Sequence, residues 1–593
     1  MRKTRFLIGA LAFSIATAFS QVPPTRTHLP EVPFFLKSMD FRSMQMAIFP
    51  TAAAGMIEDP YSDLAWNPAF VLGAAKTSVY LTLNDRPETS GWETAAASDY
   101  RKYYLASPDA EVMASWVSQS SVSGVNTKPF FNLAAVIPLS SRLALSVMNR
   151  TLFDYAPFRS LGAYDWRDSN YGDAPLSKGE TKRLSVDNDQ QKMFGALSQI
   201  SLGYRLSDSI DLGLRLGLLA YDRSGDLRDS DSAAYPHSSF SHFQSEVLGI
   251  DGSHLEAGLG LLWRLNEETR LGFYAGGIWG QSEDRATTED RNDEAYENAV
   301  KPAYYRRYSN SLASKETHPA AGFRPFLTLT FEREISATLI FRSFFSFSRS
   351  KADLEGRTDA AYASASDYTY DYYDSAGKQT YFRRAELQSR STEAFRGAGD
   401  EKWTETRGFI SLSYAPGKRW AVFGGLQIQR GVFDRTISES TVYAQDSKTA
   451  YSLYRPGTDQ SHHSYDKKYE RRTEEGQWTV TLPLGMKFEI AKGLYAVLGT
   501  DLAMVLAERH DRGDVLYHSK ITRRWENGRL LVNDEEYDRA EVYVSDPPKV
   551  LKRTLGNRGG IVYEYNSHLT FHLRVEDNFT ETADWAFGFE LKW

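Results

Sequence analysis

The chain has 593 residues, of which 41% are hydrophobic and 24% are charged, and its formal net charge is -7. This balance, spread over many residues of both signs, excludes the basic surface that nucleic-acid binding requires. Cysteine is absent, which excludes disulfide frameworks, thiolate catalysis and cysteine metal sites.

The first twenty residues predict an export signal. Three basic residues precede an apolar run from Phe6 to Ala18, and small residues occupy the positions that a signal peptidase reads. We therefore expect residues 1–20 to be a signal peptide and the mature chain to start near Gln21. No later apolar run reaches the roughly 18 residues that a membrane helix needs. An exported chain can still span a membrane as a closed barrel, in which every backbone group pairs between strands.

Residues 21–75 are irregular and rich in proline, and they are too few to form a domain with its own core. We expect this segment to be a hatch that plugs the barrel formed by residues 76–593. It contains an acidic, small-residue stretch from Ala54 that leads to Asn67-Pro68-Ala69, just before the first alternating strand.

The placement of these residues resembles the N-terminal hatch of the outer-membrane long-chain fatty-acid transport family (FadL-type), and of related barrels that serve as shuttles in type IX secretion. The resemblance covers about forty residues and departs from the family where Phe70-Val71 replaces the usual Gly-Leu. It implies a barrel of fourteen strands, a hatch function for Asn67, Pro68 and Ala69, and a hydrophobic ligand. Without the resemblance, Asn67-Pro68 is an ordinary turn.

From residue 78 the chain repeats one unit, in which two alternating strands joined by a very short turn are followed by a long polar stretch. Alternation of apolar and polar side chains places one face against lipid and the other in a wet lumen. The pattern predicts an all-β, transmembrane, antiparallel up-and-down barrel of about 14–16 strands. The predicted strands are 78–84, 131–139 with 143–148, 194–206 with 210–221, 255–265 with 271–279, 327–331 with 337–347, 410–414 with 420–428, 478–490 with 494–506, 560–565, 569–575 and 585–593.

The last nine residues alternate strictly, with aromatic or leucine side chains from Trp585 to Trp593 on one face. A strand of this kind needs a partner, because a free apolar edge promotes aggregation. An aromatic at the very C-terminus also resembles the signal that directs bacterial outer-membrane barrels to the barrel-assembly machinery. The resemblance implies that machinery as a partner, together with outer-membrane lipid and lipopolysaccharide, and a bacterial outer-membrane location.

The polar stretches predict long external loops, because barrels of this type have short periplasmic turns and longer outer loops. One of them, Tyr362 to Ser375, concentrates tyrosine and aspartate. Such a surface can bind sugars or proteins, although packing of solvated loops against one another is the simpler interpretation. The predicted loops are 86–128, 159–190, 223–252, 282–322, 351–403, 438–476 and 508–558.

The lumen face carries charges of both signs, which favour pairing across strands over ion selectivity. It also carries apolar and aromatic side chains, for which a water-filled diffusion pore has little use. Two interpretations stay open: these residues form a pocket for an amphipathic ligand, or they pack against the hatch. The residues predicted to bind ligand are Met148, Arg215, Tyr221, Tyr274, Arg342, Phe344 and Phe423.

Pro483 lies inside a predicted strand, where proline removes one ladder hydrogen bond. We expect a bulge or kink of the wall there. As a hypothesis, this irregularity opens the wall sideways so that a hydrophobic ligand leaves into the bilayer.

No serine elbow, glycine-rich phosphate loop or HExxH helix is present in the sequence, and the pair His462-His463 is a weak metal signal. We expect no enzyme activity, no cofactor and no metal site. The sequence therefore favours passive uptake of hydrophobic or amphipathic, fatty-acid-like small molecules. The alternatives are an outer-membrane scaffold whose loops or hatch dock secretion or surface proteins, and a general porin.

Overall fold

The computed structural model describes Phe34, Leu36 and residues 59–83, 131–166, 181–235, 238–298, 304–373, 379–417, 419–452, 456–545, 548–576 and 585–593. The predicted signal peptide, most of the predicted hatch before residue 59, and the predicted loop 86–128 lie outside these residues. Among the described residues, no helix is long and apolar enough to span a bilayer.

The described chain folds almost entirely into strands. They are β1 (Ser78–Leu83), β2 (Phe131–Pro138), β3 (Leu143–Trp166), β4 (Thr181–Ser207), β5 (Ile210–Tyr235), β6 (Ser238–Arg264), β7 (Thr269–Asn298), β8 (Tyr304–Ser336), β9 (Leu339–Tyr373), β10 (Gln379–Tyr414), β11 (Trp420–Ser452), β12 (Gly457–Ala491), β13 (Leu494–Glu526), β14 (Arg529–Ser545), β15 (Val550–Glu564), β16 (Leu569–Glu576) and β17 (Trp585–Lys592). Two short 3-10 helices, Asp63–Ala65 and Pro68–Gly73, precede β1.

The strands pair antiparallel in a closed ring. Each strand from β1 to β13 pairs with the next, and β1 also pairs with β17. β14 pairs with the outer part of β13 and β15 with its inner part, so these two strands share one position. β15, β16 and β17 complete the ring. Sixteen positions result, which confirms the predicted antiparallel barrel.

A belt of exposed apolar side chains surrounds the end of the barrel that carries the short turns. On β5, for example, the outward leucines 212, 214, 216 and 218 are 37–49% exposed. Aromatic side chains border the belt on both sides. Those near the short turns include Tyr204, Trp263, Tyr414, Trp420 and Trp593, and those on the far side include Trp279, Phe323 and Trp478.

The belt has the height of a bilayer core. The stretch of β7 from Leu271 to Trp279 has nine residues, which span roughly 20–25 Å across the membrane in a tilted strand. An apolar band of this height between two aromatic girdles is typical of outer-membrane barrels. The protein is therefore a transmembrane β-barrel of the outer-membrane type.

The prediction that the polar stretches are loops was wrong for most of their residues. β7 to β13 run 30–36 residues, and residues 223–235 and 238–252, for instance, continue β5 and β6. Tyr362 to Tyr373 likewise belongs to β9. Only about ten residues of a tilted strand are needed to cross a bilayer, so the barrel wall continues far beyond the membrane. We call this outer part, formed by β3 to β14, the extension.

Candidate functional site: the hatch and the lumen around it

The lumen at bilayer level holds residues 59–77, which are the continuous described part of the predicted hatch and the two residues after it. From here on, the hatch means residues 59–77. Asp59 shapes its first turn, because one carboxylate oxygen accepts hydrogen bonds from the backbone N–H groups of Tyr61 (3.1 Å) and Ser62 (2.7 Å). Asp63 accepts a further bond from the N–H group of Asp59 at 3.0 Å. The acidic residues that the sequence places here therefore order the hatch itself.

Asn67 fastens the hatch to the wall. Its side chain is fully buried, and its amide nitrogen donates to the backbone carbonyls of Leu261 (2.9 Å) and Phe273 (3.2 Å) on β6 and β7. Its amide oxygen accepts from the N–H group of Ala69 at 3.0 Å, which caps the helix that begins at Pro68. The Asn67 side chain thus both caps the short helix of the hatch and attaches the hatch to the barrel wall.

Four inward-facing glycines, which we call the glycine stripe, allow this close approach: Gly203, Gly213, Gly260 and Gly272. The first three lie side by side on β4, β5 and β6. At Gly203, Gly213 and Gly260 a Cβ atom would come within 3.0 Å of hatch atoms of Val71, Ala69 and Asn67 respectively. Glycine inside a strand marks such sites of close backbone approach.

Two arginines predicted to bind ligand lie against the hatch. Arg215 contacts the carbonyl oxygen of Leu64 at 3.2 Å and forms an ion pair with Glu256, also at 3.2 Å. The hydroxyl of Tyr274, a third predicted residue, donates to the same Glu256 carboxylate at 2.9 Å. The charges therefore pair with each other inside the lumen.

Arg342 is held in the same way. Its guanidinium lies 2.8 Å from the carboxylate of Glu332 and 4.0 Å from that of Asp63 in the hatch. Both arginines thus connect a wall carboxylate with the hatch.

Aromatic side chains meet the other side of the hatch. The rings of Trp66 and Phe344 lie 3.8 Å apart between centroids, and those of Phe344 and Phe409 lie 5.0 Å apart. Phe423, also predicted to bind ligand, belongs to the same cluster. The guanidinium of Arg407 lies 5.3 Å from the ring of Trp66 and 5.2 Å from that of Phe344, within the range of cation–π attraction.

The remaining predicted ligand residues lie apart from this cluster. Met148 packs in a second apolar cluster with Tyr61, Leu64 and Val71 of the hatch. Tyr221 lies nearer the outer edge of the bilayer, where its ring contacts that of His254 at 5.8 Å. All seven predicted residues are buried in the lumen, but they surround the hatch rather than line one common pocket.

A second N-terminal contact closes the lumen further out. The ring of Phe34 lies 5.8 Å from that of His254, and its N–H group donates to Glu401 at 2.8 Å. The carbonyl of Leu36 accepts from Arg324, also at 2.8 Å. The N-terminal segment therefore occupies the lumen at two levels.

The charged groups at this outer level are paired and buried. Glu401 lies 3.2 Å from Arg435, and Arg324 lies 3.6 Å from Glu405. Burial raises the pKa of Glu401, whereas Arg435 and the Phe34 N–H group oppose that rise.

Sequence reasoning missed the aromatic partners Trp66 and Phe409, the cation Arg407 and the four glycines. Phe409 and Arg407 continue the inward alternation of β10, but the strand was predicted to begin only at Ile410. Inward glycines in the middle of apolar strands were the available signal for a segment packed inside.

The prediction at Pro483 was a bulge or kink of the wall. The pairing shows no register shift there, which a bulge would cause, but it is interrupted on one side. β12 keeps its register with β13 through Pro483. Its pairing with β11 skips two positions, between Gly424–Leu484 and Gln427–Thr481, without a shift. The proline therefore interrupts the ladder on one side only, as expected from its missing N–H group.

No family model matches the chain, and no curated protein matches it either. Solved structures similar to it include a Pseudomonas aeruginosa FadL homologue, with 11% identity and a TM-score of 0.28 over 94% of this chain and 99% of that one. The Ralstonia pickettii toluene transporter TbuX matches with 13% identity and a TM-score of 0.21 over 65% and 92%. The Pseudomonas putida toluene transporter TodX matches with 11% identity and a TM-score of 0.25 over 84% and 100%.

Proposed function

We propose that the protein is a passive outer-membrane channel for hydrophobic or amphipathic small molecules, gated by the hatch. One observation carries the proposal. At bilayer level the lumen holds an apolar and aromatic cluster, formed by Trp66, Phe344, Phe409 and Phe423, with the cation Arg407 beside it. A mostly apolar site with one placed polar group suits a ligand that has a greasy body and a polar head.

The same cluster argues against a general porin. A pore for small hydrophilic solutes gains nothing from buried phenyl rings, and the hatch occupies part of the lumen at bilayer level. We therefore expect the resting protein to conduct ions poorly. In a planar bilayer, a large and steady single-channel conductance would contradict this.

Passage requires the hatch to move or rearrange, because Asn67 and the glycine stripe hold it against the wall. A ligand that reaches the aromatic cluster has two exits. It can pass below the displaced hatch, or it can leave sideways where the β11–β12 ladder lapses at Pro483. Neither exit uses an energy source, so net flow follows the concentration gradient.

Uptake by cells that produce the protein, compared with cells that lack it, tests the proposal. Radiolabelled oleate and hexadecane serve as hydrophobic probes, and a labelled disaccharide serves as a hydrophilic one. We expect faster uptake of a hydrophobic probe only. The double variant Phe344→Ser, Phe423→Ser should reduce that gain at least tenfold, because it removes the apolar contacts of the cluster.

The matched control is Phe243→Ser, which replaces an outward-facing aromatic of the extension that is 40% exposed. It should leave uptake unchanged. Equal uptake with and without the protein would favour the second candidate, a scaffold whose extension docks surface or secretion proteins. The observation behind that candidate is the length of the wall outside the membrane, which transport across a bilayer does not require.

A further inference from the structure

A polar groove crosses the outer face of the extension. It has a volume of about 1070 Å³ and runs from β7 across β8 to β12 and onto β13. Six strand spacings correspond to a length of roughly 29 Å. This exceeds what a single small molecule fills, and it suits an elongated, oligomeric ligand.

The groove lies outside the barrel, not in the lumen. Arg291 and Asp293 line it on β7, whereas the buried lumen side chains of β7, such as Thr288, have the opposite parity. The same holds on β11, where Asp446 and Lys448 line the groove and Tyr443 is buried inside. The groove is therefore separate from the hatch site in the lumen.

The lining has the chemistry of a saccharide site. Serine hydroxyls and glutamine amides supply donors and acceptors across the strands, including Ser311, Gln388 and Gln460. Trp525, half-buried at one end, offers an indole face for the C–H surface of a sugar ring. His462 is held in place through Asp446 at 2.8 Å and Ser464 at 3.1 Å.

The charges of the lining favour an acidic sugar. Four cations outnumber two carboxylates in a chain whose net charge is -7. Arg291 pairs with Asp293 at 2.9 Å and Arg523 pairs with Glu535 at 2.7 Å. Within the described chain, Arg390 and Lys448 have no ion-pair partner. Asp446 lies directly across from Arg390, but it bonds His462 instead.

The height of the groove above the membrane determines which ligands can reach it. Arg291 lies twelve residues beyond Trp279 of the outer aromatic girdle, which corresponds to roughly 30 Å above the membrane for a tilted strand. A groove on the outer wall at that height faces sideways. It therefore meets the sugar chains of the surrounding outer-leaflet glycolipids before anything else.

We propose that this groove binds an acidic oligosaccharide, with Arg390 and Lys448 contacting its carboxylate or phosphate groups and Trp525 stacking on a sugar ring. The glycolipid of the surrounding leaflet is the natural source. A free acidic polysaccharide has the same chemistry. The proposal is independent of transport, since no groove residue lies in the lumen cluster.

Isothermal titration with the full chain in detergent micelles tests the site. The probes are the acidic polysaccharide released from lipopolysaccharide by mild acid, a neutral dextran of similar length, and intact lipopolysaccharide in nanodiscs that hold the barrel. We expect the acidic probes to bind, more weakly as salt rises, and dextran to bind at least tenfold more weakly. Binding of the free polysaccharide, of the glycolipid or of both supports the site and identifies its source.

The double variant Arg390→Ser, Lys448→Ser should lower the affinity for the acidic probes at least tenfold, and Trp525→Ala should do so for the neutral sugar as well. The control Lys315→Ser, Lys468→Ser removes two outward cations of the extension that do not line the groove. Heat-modified migration on gels shows whether each barrel is folded. Unchanged binding of the acidic polysaccharide by the folded groove variants, or an equal loss in the control, would overturn the proposal.

Discussion

Gly213 shows how much of the hatch site depends on the absence of a side chain. A Cβ atom there would lie within 3.0 Å of the backbone of Pro68 and Ala69, which has no flexible end that can move aside. Gly217, four residues further along the same face of β5, has 3.4 Å to the nearest atoms, which are side-chain atoms of Gln199 and Glu256. Both glycines face the lumen from β5, but Gly213 faces the backbone of the hatch, whereas Gly217 faces side chains of the wall.

We expect Gly213→Ala to loosen the hatch while the barrel stays folded, because the methyl group overpacks the contact. Hydrogen exchange of residues 59–77 should become at least tenfold faster in Gly213→Ala and stay unchanged in Gly217→Ala. The exchange of β5 itself serves as an internal reference in both variants. Equal protection of the hatch in the two variants would mean that it does not dock on the glycine stripe.

At this scale, sequence alone predicted the inward position of single residues but not their partners. Alternation placed Arg215, Tyr274 and Phe344 in the lumen, where all three are buried. The alternation of side chains along a strand does not predict that Arg215 contacts Leu64, which lies 151 positions earlier in the chain. Such a contact depends on how a segment without regular structure folds inside the ring.

At the scale of the strand, the apolar segments were predictable and the polar ones were not. Apolar and polar residues alternate where one face of a strand contacts lipid and the other contacts the lumen. Beyond the outer girdle, both faces of a strand contact water or a polar lumen. The extension therefore lacks the pattern by which strands are recognised, and its residues were predicted to be loops. Pairing continues there because the neighbouring strand continues too, and each backbone group finds its partner.

Three prolines of the described wall, Pro319, Pro325 and Pro483, share one behaviour. At Pro319 and at Pro325 on β8, two positions of the pairing with β9 are missing and the register does not shift. The same is true at Pro483 on β12 for the pairing with β11. Pro319 lies in the extension, whereas Pro325, opposite Gly277, and Pro483 lie in the bilayer belt. Of the three, Pro483 lies beside the aromatic cluster, because Phe423 is opposite Gly485. We therefore propose the sideways exit at Pro483 and not at Pro325.

Replacing Pro483 by threonine supplies the missing N–H group and a residue that favours strands. We expect slower hydrogen exchange at residues 424–427 and, if the exit lies there, uptake of hexadecane that falls at least threefold. Pro319→Thr is the matched control, since it closes the same kind of lapse away from the membrane. Slower exchange at the β11–β12 ladder with unchanged uptake would exclude this exit and leave the path below the hatch.

Glu393 makes the extension sensitive to pH. It is 3% exposed inside the extension, opposite Tyr443 of β11 and Ala360 of β9. The pKa of Glu393 is raised to about 7, chiefly by burial and also by the charge of Glu316, while the charge of Lys467 opposes the rise. A carboxyl group whose pKa is higher in the folded chain than in the unfolded one stabilises the fold at low pH, and that stability is lost as pH rises through the folded value.

The extension should therefore be less stable at pH 8 than at pH 5, by on the order of 3 kcal/mol at this group. Hydrogen exchange of residues 385–400, corrected for the chemical exchange rate, measures the difference. Glu393→Gln should remove most of it, because the amide is neutral at both values. Glu386→Gln, which changes an exposed carboxylate on the same strand, should not. A pH dependence that survives in Glu393→Gln would assign it to another group.

For the whole molecule, the ring and the hatch have separate origins in the sequence. The ring follows from repeated hairpins, and its sixteen positions fall within the predicted range. The hatch was predicted from its composition and from the placement of Asn67-Pro68-Ala69, but its position in the lumen depends on glycines of four consecutive strands that lie more than a hundred residues away from it in sequence. Transport then depends on whether these two parts separate.

A reversible crosslink between the two parts decides that question. Val71 is buried, and a Cβ atom at Gly203 would come within 3.0 Å of its side chain, so Val71→Cys with Gly203→Cys places two thiols within reach of each other. The chain contains no other cysteine. We expect the oxidised double variant to lose at least nine-tenths of oleate uptake and to regain it on reduction with dithiothreitol, because the hatch can no longer leave β4. Each single cysteine variant, treated in the same way, should show no change of uptake between the oxidised and the reduced state. A fully crosslinked barrel that takes up oleate at the wild-type rate would show that ligand passes without displacement of the hatch.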